Sequence, residues 1–301
     1  MLRPDTLMDK IRSYIGIIRP HQYIKNGFVF LPLFFGYKLG DPPAVWKTVC
    51  AFVVFCLAAS SVYIFNDIQD IDEDKRHPVK KERPLASGQL RRTEAVCTLL
   101  FLLVCSVILS ALFLPASFFI VLVVYLLLNA LYSLWLKNIS VLDITIIAFG
   151  FVLRVLAGGF AADVRVSHWI LLMSFLLALF LSLAKRRDDL LLVQSENGST
   201  KYNNGYSLEF VSTGMVIMAA VTIVSYILYT VSPEVVSKHN SQYLYLTSFW
   251  VVLGILRFMQ ITFVHGKTGS PTHVLLKDFF LQAIIVLWLF TFFILFHING
   301  H

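Results

Sequence analysis

Long, nearly uninterrupted apolar runs recur along the chain at residues 26–43, 45–66, 94–114, 116–136, 140–162, 167–187, 208–231, 242–264 and 275–298. Each is near the ~20 residues that an α-helix needs to cross a bilayer's hydrocarbon core. Backbone polar groups find no water in lipid, so only helices and closed barrels span it, and runs of this length select helices. The pattern therefore predicts an all-α integral membrane protein with nine transmembrane helices. The connections are short and contain no soluble domain or low-complexity linker, which makes residues 1–301 one integral-membrane domain. Ahead of the first run, Asp5, Asp9, Lys10, Arg12, Arg19 and Lys25 interrupt any apolar stretch. Residues 1–25 thus read as an interfacial, partly amphipathic segment and not as a cleavable signal peptide.

Composition agrees with this reading. The chain is 57% hydrophobic and 14% charged with a mean hydropathy of +0.75, against roughly 25% charged residues in soluble domains. Charge then orients the helices. With alternate loops assigned to opposite sides, the N-terminal side collects 19 of the 25 Lys and Arg residues. The opposite side holds Lys38, Lys47, Arg165 and Lys238, and Arg154 and Arg257 fall inside apolar runs. By the positive-inside rule the N-terminus is cytoplasmic and the C-terminus outside, in the cell (plasma) membrane. The same asymmetry accounts for most of the net charge of +7, and no aromatic-basic interleave or DNA-binding motif calls for nucleic acid. Cys50, Cys56, Cys97 and Cys105 lie in or beside apolar runs without paired ligand spacing, so neither a disulfide framework nor a zinc site is indicated.

The exception to the apolar pattern is NDIQDIDED, Asn66 to Asp74, where the second run leaves the membrane on the cation-rich side. At about 100° per residue, Asn66, Asp67, Asp70 and Asp74 fall on one side of a continuous helix while Asp72 points away. Carboxylates so grouped repel unless a cation neutralises them. Hard oxygen donors suit Mg²⁺, with Mn²⁺ as the alternative metal, and Mg²⁺ usually completes its shell with water and substrate phosphate oxygens. The competing reading is a solvated helix cap; the N-D-x-x-D-x-x-x-D spacing at a membrane boundary favours the metal.

This motif resembles the first aspartate-rich motif of the UbiA-type membrane prenyltransferase superfamily. Further stretches extend the resemblance over nearly the whole chain: IRPHQYIKN (Ile18 to Asn26), HPVKKERPLASG (His77 to Gly88), YSLWLK with LDI (Tyr132 to Asp143), GFVLRVLAGG (Gly150 to Gly159), AKRRDDL (Ala184 to Leu190), and LRF with LLKD (Leu256 to Asp278). They are most similar to the branch that moves phosphoribose onto a polyprenyl phosphate of the decaprenyl type. The resemblance implies a nine-helix bundle with a cytoplasm-facing active-site cavity. It also implies Mg²⁺ held by Asp67, Asp70 and Asp74 with Asn66, and, as substrates, 5-phosphoribosyl 1-diphosphate and a polyprenyl phosphate within the membrane lipids. Other members of the superfamily carry a second D-x-x-x-D cluster in the second half of the fold. This chain departs from that pattern: the corresponding loop reads Lys185-Arg186-Arg187-Asp188-Asp189. Cations there suit a donor with an additional phosphate, and anchoring to the cytoplasmic face is the bland alternative.

Lys80, Arg83, Lys137, Lys185 and Arg186 are the candidate phosphate ligands, with Asp189 beside them as a substrate-binding candidate. A lipid phosphate is already ionised near neutral pH, so no strong general base is required; His77 reads as structural. Lys25 at the mouth of the first run could meet the lipid phosphate or simply snorkel. Arg154, inside a run, faces a cavity or a partner, for which Asp143, Glu209 and Asp278 are candidates; Arg257 and Asp278 could form an interhelical pair. Two other functions stay in view: transfer of a prenyl group from a prenyl diphosphate to an aromatic or other small acceptor, and cation-coupled transport. Transporters more often place ionisable groups at the bilayer midplane on broken helices. A homo-oligomer is the one protein partner left open.

Overall fold

The computed structural model describes the backbone of residues 7–77, 79–195, 205–265 and 271–298. Asp5 lies outside it, as do Arg3, Lys201 and Lys267, three of the 19 cations counted on the N-terminal side. Among the described residues every regular element is helical. Among the described residues seven helices are long and apolar enough to cross a membrane, or eight if the bent pair near the C-terminus counts as one span. The protein is thus a multi-pass membrane protein, and it folds as two compact units that divide between Ser167 and His168.

The first unit opens with α1 (Leu7–Ile18). The helix stops there because Arg19 precedes Pro20, whose ring disfavours helical backbone at the residue before it, and Arg19 turns into the left-handed region at φ 56°. A 3-10 helix, Pro20–Phe30, and a five-residue α2, Leu31–Phe35, follow. The expected first span, residues 26–43, is therefore not one continuous helix. Pro32 sits where a continuing helix would need a backbone donor, and α2 ends at Gly36. The next four expected spans are continuous: α3 (Pro42–Gln69), α5 (Arg92–Phe113), α6 (Ala116–Leu134) and α7 (Leu142–Ala162). At the start of α3 the Asp41 carboxylate accepts from the Ala44 amide at 3.4 Å, and Pro42 occupies a first-turn position where its missing N–H costs nothing.

Among the described residues several apolar clusters hold the unit, two of them next to the residues of interest. One gathers around Phe55, Phe118, Leu122 and Tyr125, with Phe55 edge-on to Phe118 at 5.8 Å and tilted against Tyr125 at 5.2 Å. Here α7 presents Gly158 to the 3-10 helix, so closely that a Cβ would lie 2.0 Å from the Val29 carbonyl oxygen. The other core packs Ile17 of α1 against Ile64 and Ile68 of α3 together with Leu85 and Leu90 from the loop before α5. It fixes that loop beside the acidic end of α3.

The second unit holds α8 (His168–Ser195), α9 (Leu208–Val231), the short α10 (Pro233–His239), α11 (Ser248–Gln260), α12 (Pro271–Lys277) and α13 (Phe279–Ile298). One π turn, Ile261–His265, continues α11. The last expected span, 275–298, is bent by 83° between α12 and α13. Asp278 sits at that bend and binds Arg257 of α11 at 2.7 Å, the interhelical pair expected from the sequence.

Candidate active site

The last turn of α3 delivers Asn66 and Asp67, and the helix then stops. Asp70 caps it at φ −97°, ψ 7°, and a separate single turn, α4 (Ile71–Asp74), carries Asp72, Glu73 and Asp74. The continuous helix assumed for the four-residue face is corrected here: the break after Gln69 resets the angular register. The fold restores part of the grouping by another route. Arg83 Nη1 lies 3.1 Å from Asp67 Oδ1 and 2.7 Å from Asp74 Oδ2, so one guanidinium gathers both carboxylates. Arg19 also donates to Asp67, and Lys137 donates to Asp70. The Asn66 amide donates to the other Asp70 oxygen at 2.9 Å. Asp67 and Asp74 are only 2% and 3% exposed. Asp72 projects outward and meets Lys75 at 3.3 Å.

Local sequence explains how the cations arrive. Arg83 follows a 3-10 turn, Lys80–Glu82, in the loop that Leu85 and Leu90 anchor in the core, and Ser87 Oγ donates to the Arg83 carbonyl at 2.8 Å. His77 Nδ1 accepts from the Val79 and Lys80 amides, each at 3.2 Å, which gives it a place in loop structure. Lys137 sits in the turn after α6. Arg19 reaches Asp67 from the bend between α1 and the 3-10 helix.

The donor atoms of Asn66, Asp67, Asp70 and Asp74 are hard oxygens of the kind a divalent cation takes. Their arrangement is that of a charge-paired cluster: among the described residues no three His, Cys, Asp or Glu side chains converge into a ready metal site. Protein cations stand on the carboxylates instead. The set fits a metal in chemistry and requires Arg19, Arg83 and Lys137 to yield before one can bind.

A second constellation lies deeper in the same unit. Arg154 of α7 is 5% exposed, and within this unit its partners are neutral groups and not Asp143, one of the carboxylates expected from the sequence. Its Nε donates to Asn26 Oδ1 at 2.7 Å, Nη1 to the Gly150 carbonyl at 2.8 Å and Nη2 to the Tyr125 hydroxyl at 2.9 Å. Its guanidinium carbon stands 4.9 Å from the centroid of the Tyr125 ring. Lys25, next to Asn26, is half-buried. Burial, then Arg154 and Arg19, hold its ammonium down at about 8.

In the second unit, Lys185 is exposed near the C-terminal end of α8. Arg186 lies 3.9 Å from Asp189 and 5.4 Å from the Tyr206 ring centroid. Arg187 is committed to packing, donating to the Thr262 carbonyl at 2.7 Å and lying 4.6 Å from the Phe263 ring centroid. Two residues of these clusters are not singled out by sequence: Arg19 reads there as an interfacial cation, though it stands in IRPHQYIKN, and Tyr125 sits in an apolar run and carries no signal.

These helices and this cluster define a class. The profile described as "UbiA prenyltransferase family" matches residues 29–195, more than half of the chain, and the chain belongs to that family. Its sequence is 34% identical to the decaprenyl-phosphate phosphoribosyltransferase of Mycolicibacterium smegmatis over 93% of this chain and 91% of that protein. It is 30% identical to the protein of the same name from Corynebacterium glutamicum, over 95% and 86% respectively. The fold is similar to that of a UbiA homolog from Archaeoglobus fulgidus solved with GPP and Mg²⁺, with a TM-score of 0.71 at 17% identity, covering 95% of this chain and 99% of that one.

Proposed function

We propose that the protein transfers 5-phosphoribose from 5-phosphoribosyl 1-diphosphate to a polyprenyl phosphate of the decaprenyl type and releases diphosphate. The observation that carries this reading is the near full-length similarity to phosphoribosyltransferases from two organisms. A charge-paired acidic cluster supports it, because such a cluster can trade its internal partners for those of a polyanion. In this reading Arg19, Arg83 and Lys137 turn from carboxylates to the donor's diphosphate. Arg offers a planar fork for two phosphate oxygens and Lys a mobile point charge. Asn66, Asp67, Asp70 and Asp74 would hold Mg²⁺, or Mn²⁺ in its place, which when bound supplies neutralisation of charge on the departing diphosphate.

The acceptor needs little activation. A phosphate monoester is mostly ionised at neutral pH, so its oxygen attacks the ribose C1 directly: a C1–O bond to the lipid phosphate forms as the C1–O bond to diphosphate breaks. Entry opposite the held diphosphate inverts the configuration at C1. Lys80, beside the loop cation Arg83, and Lys25 and Arg154 are the further substrate contacts proposed in the first unit. Lys185, Arg186 and Asp189 are proposed for the donor's remaining phosphate on the strength of the sequence. The whole chain, nine crossings if the expected first run, residues 26–43, is counted, would act as one transferase of the cell membrane, with its cavity and N-terminus on the cytoplasmic side. Reporter fusions placing both termini on one side of the membrane would refute that orientation.

Purified protein offered each donor and acceptor pair separates the readings, with release of diphosphate as the signal. Phosphoribosyl diphosphate with a polyprenyl phosphate should turn over. Turnover only of a prenyl diphosphate with an aromatic acceptor would install ordinary prenyl transfer, the reading that the family's name alone favours.

A further inference from the structure

Five cations of the first unit that are buried or partly buried differ in what they face. Arg19, Arg83 and Lys137 stand on carboxylates. Arg154 and Lys25 do not. Arg154 is bound only by neutral acceptors, the Asn26 amide oxygen, the Gly150 carbonyl and the Tyr125 hydroxyl, with guanidinium donors left over. Lys25 makes no ion pair or side-chain hydrogen bond among the described residues. A buried charge is expensive unless something pairs with it, and two like charges near each other raise that cost. Nothing in the packing rewards Lys25 for remaining charged where it is. Burial first, and then Arg154 and Arg19, hold its ammonium down, in keeping with the lack of a carboxylate partner beside it.

The charge and the position specify that counterion. Two unpaired cations match the ≈ −1.5 to −2 charge of a phosphate monoester. A diphosphate carries more charge, and the cluster at Asp67, Asp70 and Asp74 is organised to receive it. Lys25 lies in the 3-10 helix, one residue before the expected first apolar run and next to exposed Ile24. A headgroup there could leave an isoprenoid tail in lipid. The Tyr125 and Asn26 contacts hold the guanidinium in place before any ligand arrives, so its free donors are already oriented.

We propose that Lys25 and Arg154 form the acceptor site, binding the terminal phosphate of the polyprenyl phosphate, separate from the carboxylate-paired cations that serve the donor. This assignment rests on the phosphoribosyltransferase reading for the names of the two substrates, but not for the existence of a phosphate monoester site. Lys25→Met is the informative variant, because it removes a charge without removing a contact, whereas Arg154→Gln also cuts the links to Asn26 and Tyr125.

The test is equilibrium binding of a radiolabelled polyprenyl phosphate to purified wild type and Lys25→Met in detergent, without donor. Parallel arms use the dephosphorylated polyprenol and competing inorganic phosphate. Thermal midpoints and the KM for phosphoribosyl diphosphate are measured on the same preparations. Loss of a charge-assisted contact should weaken lipid-phosphate binding by about 10- to 100-fold, leave polyprenol binding and the donor KM within about twofold, and keep or raise the midpoint. Competition by inorganic phosphate in the wild type, reduced in the variant, would identify the headgroup as what Lys25 reads. The proposal is overturned if the variant binds the lipid phosphate like the wild type, if the donor KM is what rises, or if the midpoint falls. Wild type that binds the lipid phosphate but does not turn over phosphoribosyl diphosphate would defeat the proposed function and leave this site standing.

Discussion

Replacing Arg83 by Gln tests whether the acidic motif is held together by its own cations. Arg83 is the side-chain partner of Asp74, which is 3% exposed, and it shares Asp67 with Arg19. The variant leaves Asp74 buried, charged and unpaired, while Asp67 retains Arg19. Removing one member of a buried ion pair costs about 3–5 kcal/mol. Arg83 is itself 25% exposed, so solvent screens part of the interaction and about 2–3 kcal/mol is the expected loss. For a unit of this size each kcal/mol shifts the midpoint by about 2–4 °C, giving a fall of about 4–12 °C in detergent-solubilised protein followed by tryptophan fluorescence. Asp74→Asn removes the stranded charge, so the double variant should recover at least half of the fall. Added Mg²⁺, with one competing cation gone and Asp74 unpaired, should raise the midpoint of Arg83→Gln more than that of the wild type. A midpoint unchanged by Arg83→Gln, or losses that simply add in the double variant, would show that the carboxylates do not depend on Arg83.

Three further outcomes follow from the same geometry. Asp67→Asn, Asp70→Asn and Asp74→Asn should each abolish most transferase activity, whereas Asp72→Asn, at an outward-facing side chain, should lose less than about threefold by the loss of one surface pair; equal losses at all four, or full activity in a chelator, would contradict the ligand assignment. Gly158→Ala should lose about 1–3 kcal/mol in unfolding measurements, because the new Cβ would meet the Val29 carbonyl at 2.0 Å, while Gly27→Ala, with open space around its Cβ, should be close to neutral. Lys25 is protonated below about 8, so the affinity for a lipid phosphate should hold below that pH and weaken as pH rises through it, over and above any change in the phosphate itself. The free protein should respond in the opposite sense, gaining stability between that pH and the ordinary lysine range, where the unfolded chain binds the extra proton; Lys25→Met should flatten both trends.

Hydropathy located the helices well where a span is a single α-helix. Residues 45–66 became Pro42–Gln69 and 94–114 became Arg92–Phe113, boundaries set by prolines and charged residues that the eye can find. It failed at 26–43, because counting apolar residues ignores what Pro20, Pro32 and Gly36 do to the backbone. The acidic motif was legible as a chemical unit, but its geometry was not: the angular argument needed one unbroken helix through Asp74, and the helix ends at Gln69. The contacts of Arg154 show a different limit. A charge pattern suggests carboxylate partners, whereas the fold supplies an amide 128 residues away and a tyrosine hydroxyl 29 residues away, neither of which announces itself in sequence. Arg19 is the intermediate case, since an Arg-Pro step inside a recognised stretch marks a bend that can aim a cation back at the membrane boundary.

In the proposed reaction a phosphoribosyl group, and not a prenyl group, is what moves. Purified protein incubated with Mg²⁺, ribose-labelled phosphoribosyl diphosphate and a polyprenyl phosphate, then extracted into organic solvent, tests it directly. Label is expected in the lipid phase, carried by a product whose mass equals the polyprenyl phosphate plus one phosphoribosyl unit, and is expected to be absent there when the acceptor is polyprenol. Label that stays wholly in the aqueous phase with the wild type, under conditions where the same preparation joins a prenyl diphosphate to an aromatic acceptor, would contradict it.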